Sequence, residues 1–188
     1  EIREINDVPT GGSGRQTVGG RWIFHHLIYR TQVPGADRDD AQGWPVHEVG
    51  RNPDLFNEES GRLLKAGSQI MSESAHLHSN GQDTRATLEF GFELFPEGYT
   101  PKYEQAGVSL GDGLNISIRP NADGQELHAF RVLQDHIKIT AFEPHLHAPG
   151  DRMCLEAIWD RHIETLSCVG YDHNWVRTYS FAENYEPL

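Results

Sequence analysis

Residues 86–95 alternate strictly. Leu88, Phe90, Phe92 and Leu94 fall on one face of an extended chain, Glu89 and Glu93 on the other. A period of two over that length is the pattern of a half-buried β-strand. Residues 21–31 are apolar on both faces, with Trp22, Phe24, His26 and Ile28 on one and Ile23, His25, Leu27 and Tyr29 on the other. That predicts a strand buried within a sandwich. Further strands are expected at 70–78, 114–119, 127–133, 136–147 and 175–181, while residues 1–20, polar and glycine-rich, read as a loop. Ten prolines and nineteen glycines lie between these short runs, and no long amphipathic helix interrupts them. The expected fold is all-β.

The organisation reads as two units. Segment 96–113 holds two prolines and four glycines and marks a boundary. It places a first β-sandwich at 1–100, a linker at 101–113 and a second β-sandwich at 114–188. Residues 32–60, with Pro34, Pro45, Pro53 and the acidic run 37–40, are irregular. A loop that long inside a compact domain serves a function or an interface.

Charge narrows the partners. Lys and Arg number 16 against 28 Asp and Glu, a net charge of −12. A phosphate backbone needs a basic face, so nucleic acid is not an expected partner. The balance suits a soluble acidic surface and is compatible with cation binding. No apolar run approaches the ~20 residues of a membrane span. The chain opens on Glu1 with no basic-apolar leader, so a processed protein or a fragment is expected.

Cys154 and Cys168 flank a predicted hairpin centred on Arg161, each seven residues from it. Folding there sets Cys154 opposite Cys168 and Trp159 opposite Ile163. Cross-strand neighbours lie at disulfide distance, so a bridge is expected, with two buried thiols as the alternative. A disulfide implies a periplasmic or extracellular site. There is no Cys-x-x-Cys-His, so no covalent haem.

The eleven histidines are unevenly placed. His47, His128, His136, His162 and His173 stand alone and read as ordinary hydrogen-bonding residues. His173, flanked by Asp172 and Asn174, is the one whose ring has neighbours to orient it. His145 and His147 share a strand face with Glu143, just before Pro149-Gly150, an arrangement suited to chelating zinc or copper through imidazole nitrogen. His25 and His26 are adjacent, so they face opposite ways. Both reach one ion only if the strand twists or bulges, or if the rings use different nitrogens. His78 is a candidate third ligand, with His76 its rival. His76-Leu77-His78-Ser79-Asn80-Gly81 faintly echoes His145-Leu146-His147-Ala148-Pro149-Gly150.

The order of these motifs resembles the two-domain, copper type II, ascorbate-dependent monooxygenases, the family of peptidylglycine α-hydroxylating monooxygenase and dopamine β-monooxygenase. It resembles in particular bacterial relatives with Phe-His-His, His-Leu-His-Ser-Asn-Gly and Pro-His-x-His motifs. The resemblance runs from about Gly20 to Leu188. It implies two incomplete jelly-roll-like antiparallel β-sandwich domains. One copper would be held by His25, His26 and His78, with His76 as rival. A second, catalytic copper would be held by His145 and His147 with a methionine. No Met follows Met153, which lies six residues beyond His147, roughly 20 Å along an extended strand. The third ligand is therefore expected beyond this chain, or the second site is degenerate.

The implied reaction is hydroxylation of a C–H bond with O2, on a small-molecule or peptide substrate, with ascorbate as electron donor. A soft thioether favours Cu(I), while imidazoles hold copper in both oxidation states. The alternative is a non-catalytic metal-binding or structural β-sandwich module of an extracellular assembly. Zinc also accepts these histidines.

Overall fold

In the computed structural model, residues 1–7, 24–48, 53–77, 83–111, 116–172, 177–182 and 185 are described. The described chain is nearly all β, with a single 3-10 turn at Arg38–Asp40 as its only helical element. In chain order the strands are β1 (Ile2–Asn6), β2 (Phe24–Gln32), β3 (Gln42–Gly43), β4 (His47–Glu48), β5 (Ser60–Gly61) and β6 (Gln69–Leu77). They continue with β7 (Ala86–Phe90), β8 (Tyr103–Glu104), β9 (Ala141–Phe142), β10 (Arg152–Trp159), β11 (His162–Gly170) and β12 (Tyr179–Ser180).

β2 is paired along both edges, and its residues are buried or half-buried on both faces. β6 runs antiparallel along nearly its whole length. β3 and β4 pair the same residues from the other edge, Arg30 with Gly43 and His26 with Glu48. Leu27, Tyr29 and Thr31 are buried on one face. The Tyr29 ring meets Phe90 edge-on, centroids 5.0 Å apart. Trp44 closes the same region, its Nε1 donating to Thr31 Oγ1 at 2.9 Å and its ring meeting Phe92 at 4.9 Å.

Two expectations change here. Within residues 1–20, read as a loop, Ile2–Asn6 forms β1 and pairs antiparallel with β7. Ile2, Glu4 and Asn6 are the half-buried face of that strand. Glu4 Oε2 accepts the Phe24 amide at 2.8 Å, tying β1 to the start of β2. In the other direction, the β-like runs at 114–119, 127–133 and 136–140 form no ladder among the described residues. Ile116, Ile118, Phe130 and Val132 stand more than half exposed. β-propensity records a fit to neighbouring strands, and without such neighbours it does not fix a strand.

The later residues build a second core. Phe142, Leu155, Ala157 and Leu166 are buried together, with Ile139, Met153, Val169 and Phe181 packed against them. β10 and β11 form the expected hairpin, and Cys154 and Cys168 are disulfide-bonded at a Cα separation of 4.1 Å. The turn is one residue tighter than the symmetric reading. Trp159 pairs with His162 and Ile158 with Ile163, with Asp160 in the left-handed region at φ 52°. A register shift between Leu155 and Glu156 inserts the missing residue and returns Cys154 to Cys168. Among the described residues, every ladder lies either within residues 2–104 or within 141–180.

Candidate metal centre

Residues directly opposite in an antiparallel ladder share a face. His26 on β2 lies opposite Glu48 on β4 and opposite His76 on β6. The sheet therefore sets Glu48, His26 and His76 in a row, on the face away from Leu27 and Tyr29. The His26 and His76 rings stack with centroids 5.0 Å apart. Onto this row comes a residue from more than a hundred positions downstream. The His145 ring meets His26 edge-on at 5.6 Å.

Glu48 is the hub. Its side chain is fully buried, and its Oε1 lies 2.7 Å from His26 Nδ1 and 2.9 Å from His145 Nδ1. Its Oε2 is buried with no hydrogen-bond partner. His26, Glu48 and His145 form a group able to hold a metal ion, each residue offering one ligand atom and those atoms lying within 4.8 Å of one another. On its far side His145 Nε2 faces His147 Nε2 at 3.0 Å.

The approach of His145 is prepared by the second core. Phe142 is anchored in that core and by pairing with Tyr179. Phe142 and Pro144 are buried while His145 and His147 are exposed, the alternation expected of an extended chain. Only Ala141–Phe142 is laddered, so the histidines sit just past the strand. Thr178 Oγ1 donates to Glu143 Oε2 at 2.9 Å and holds the same stretch. A turn follows, with Gly150 N donating to His147 O at 2.7 Å. A Cβ on Gly150 would meet that oxygen at 2.8 Å, so the turn that follows His147 requires glycine.

Burial is the largest influence on the Glu48 carboxyl and pushes its pKa up. The hydrogen bonds and positive charge of His145 and His26 together outweigh it, lowering the pKa from 4.5 to about 2. The His145 pKa is raised, chiefly by its hydrogen bond to Glu48; burial opposes this, and the charges of Glu48 and Glu143 add to it. Two linked effects follow. A depressed carboxyl pKa stabilises the fold above the unfolded value of 4.5 and loses that contribution as pH falls through about 2. A raised imidazole pKa stabilises below the unfolded value of 6.5 and loses its contribution as pH rises through the folded value. The contribution of the pair to metal-free stability is therefore expected to be greatest between 4.5 and 6.5. Urea midpoints measured across pH on wild type and Glu48→Gln test this: the wild-type excess should shrink on both sides of that window.

The structure thus gathers residues that the sequence had assigned to two separate half-sites. His26 and His145 share one carboxylate, His76 stacks on His26, and His147 adjoins His145. His25 is not a member of the His26–Glu48–His145 group. A register shift against β6 falls between Phe24 and His26, across His25 itself. His78 and His173 lie outside the described residues. Met153 pairs with Val169 and packs on the second core. Glu48 was not among the sequence candidates. Its signal was indirect: an acidic residue beside His47 in the long irregular loop. Comparison with protein-family models, with curated proteins and with solved structures returns no match.

Proposed function

We propose that this chain is a metal-binding protein whose histidine cluster around Glu48 holds a first-row transition metal ion. The carrying observation is the convergence of His26 and His145, from opposite ends of the chain, on one buried carboxylate, with His147 adjoining His145. The buried negative charge of Glu48 favours a cation among the imidazoles gathered around it. The donor set of imidazoles and carboxylate suits Cu(II), Zn(II) or Fe(II).

Copper is the ion the motif order favours, and C–H hydroxylation with O2 and an ascorbate-type reductant is the activity that goes with it. A bound copper ion would supply the redox chemistry. The residues on hand supply the cradle, with His145 and His147 at the catalytic ion. The disulfide favours a periplasmic or extracellular location. The packing of Met153 into the second core favours a second reading, a non-catalytic metal-binding module of an extracellular assembly.

Titration with Cu(II), followed by calorimetry and electron paramagnetic resonance, tests the first claim. Wild type is expected to bind stoichiometrically, and His145→Ala to lose the signal or change it. An unchanged Cu(II) spectrum in His145→Ala would remove the cluster from the proposal. Oxygen uptake with ascorbate and a panel of C–H substrates then separates the enzyme from the non-catalytic module.

A further inference from the structure

We propose that Glu48 is a positioning residue that sets the tautomers of His26 and His145, and thereby aims the Nε2 lone pair of His145 at the ion. This rests on the metal-binding reading above and gives the carboxylate a role that no histidine motif contains.

Proton placement on the two rings follows from the carboxylate. A carboxylate can only accept, so each Nδ1 close to Glu48 Oε1 must carry the hydrogen. The separations of 2.7 and 2.9 Å are those of charge-assisted N–H···O bonds. With Nδ1 committed, a neutral ring has a bare Nε2. In His145 that atom faces His147 Nε2 at 3.0 Å. Two nitrogens so close need a proton or a cation between them. At roughly 2.0–2.1 Å per metal–imidazole bond, one ion fits both. An imidazole whose second nitrogen donates to a carboxylate is also a better-oriented and more basic ligand. Glu48 is suited to this work because the β2–β4 register fixes it opposite His26 and burial leaves it no water to bond.

The position also explains how one carboxylate serves both ends of the chain. No ladder joins residues 2–104 to 141–180 among the described residues, whereas Glu48 Oε1 contacts a histidine from each. Orientation of the His145–His147 pair is thus set from the β4–β2–β6 sheet and not only by its own stretch of chain.

The test is nitrogen-15 spectroscopy of histidine-labelled protein, first metal-free at a pH where the rings are neutral, then loaded with Zn(II) alone as a diamagnetic probe. The expected result is a single Nδ1–H tautomer for both His26 and His145, with Zn(II) displacing the Nε2 resonance of His145 and leaving its Nδ1–H in place. In Glu48→Gln, His145 should become a mixture of tautomers, and metal affinity should fall about 10–100-fold at unchanged stoichiometry. An Nε2–H tautomer in either ring overturns the proposal. So does displacement of His145 Nδ1 by Zn(II), which would make Glu48, through its free Oε2, a direct ligand. Should Glu48→Gln fail to fold, the wild-type spectra decide alone. Should no metal bind, the metal reading falls, and the metal-free tautomers still decide the role of Glu48.

Discussion

Glu48→Ala is expected to destabilise the metal-free protein by about 3 kcal/mol. The side chain is fully buried and accepts from two imidazoles through one oxygen. Its removal leaves the His26 ring, itself 8% exposed, with a polar nitrogen facing a cavity. Breaking a buried charged pair by deleting one partner costs about 3–5 kcal/mol. The lower end applies because the His145 side chain is 40% exposed, so water screens that half of the interaction and repairs its loss. Urea unfolding near pH 6 checks the prediction: the midpoint should fall while the slope stays constant. A double-mutant cycle with His26→Ala should show a coupling of about 1 kcal/mol or more, since the two groups are in direct contact. A loss below about 0.5 kcal/mol, the range of ordinary surface substitutions, would mean that Glu48 does not join the two sets of ladders.

Glu48 also marks where reading the sequence stops working. β2 was legible because Trp22, Phe24 and Ile28 on one face and Ile23, Leu27 and Tyr29 on the other make its run apolar on both, the pattern of a strand covered on both faces. The hairpin at residues 152–170 was legible because two apolar runs flank a polar turn, and its cysteines sit symmetrically about that turn. His26 and the His145–His147 pair were legible as candidates because clustered imidazoles are costly to bury without partners. β4 was not legible. Two residues have no periodicity, and His47–Glu48 is a strand only because β2 offers its free edge. Which face of β2 each residue joins depends on that register, and a one-residue slip would exchange Glu48 for His47. The carboxylate thus acquires its meaning from a tertiary pairing. The converse holds for residues 114–140, whose alternation promises strands that the described chain does not pair. A local pattern is necessary for a strand, and a partner edge is what completes it.

Removal of the Cys154–Cys168 disulfide is expected to cost about 2–3 kcal/mol and to loosen the candidate metal centre. The bridge closes a loop with a sequence separation of 14, for which the chain-entropy account gives about 3 kcal/mol. The hairpin has reason to depend on it. β10 and β11 form a two-stranded sheet with no third strand among the described residues, and an isolated hairpin is marginal in water. Its buried residues Leu155, Ala157 and Leu166 are also the surface on which Phe142 packs. Phe142 lies three positions before His145. A frayed hairpin therefore releases the anchor that brings His145 to Glu48. The Cys154→Ala/Cys168→Ala protein should melt lower than wild type, and wild type under reductant should match it. Its Cu(II) or Zn(II) affinity should fall in parallel, although neither cysteine touches the cluster. Mass analysis of native, oxidised wild type should find no alkylatable thiol. An unchanged melting temperature in the double variant would show that the β10–β11 ladder stands without its bridge. A lower melting temperature with unchanged metal affinity would show instead that Phe142 keeps its place when the hairpin weakens, and that His145 is held by its own stretch alone.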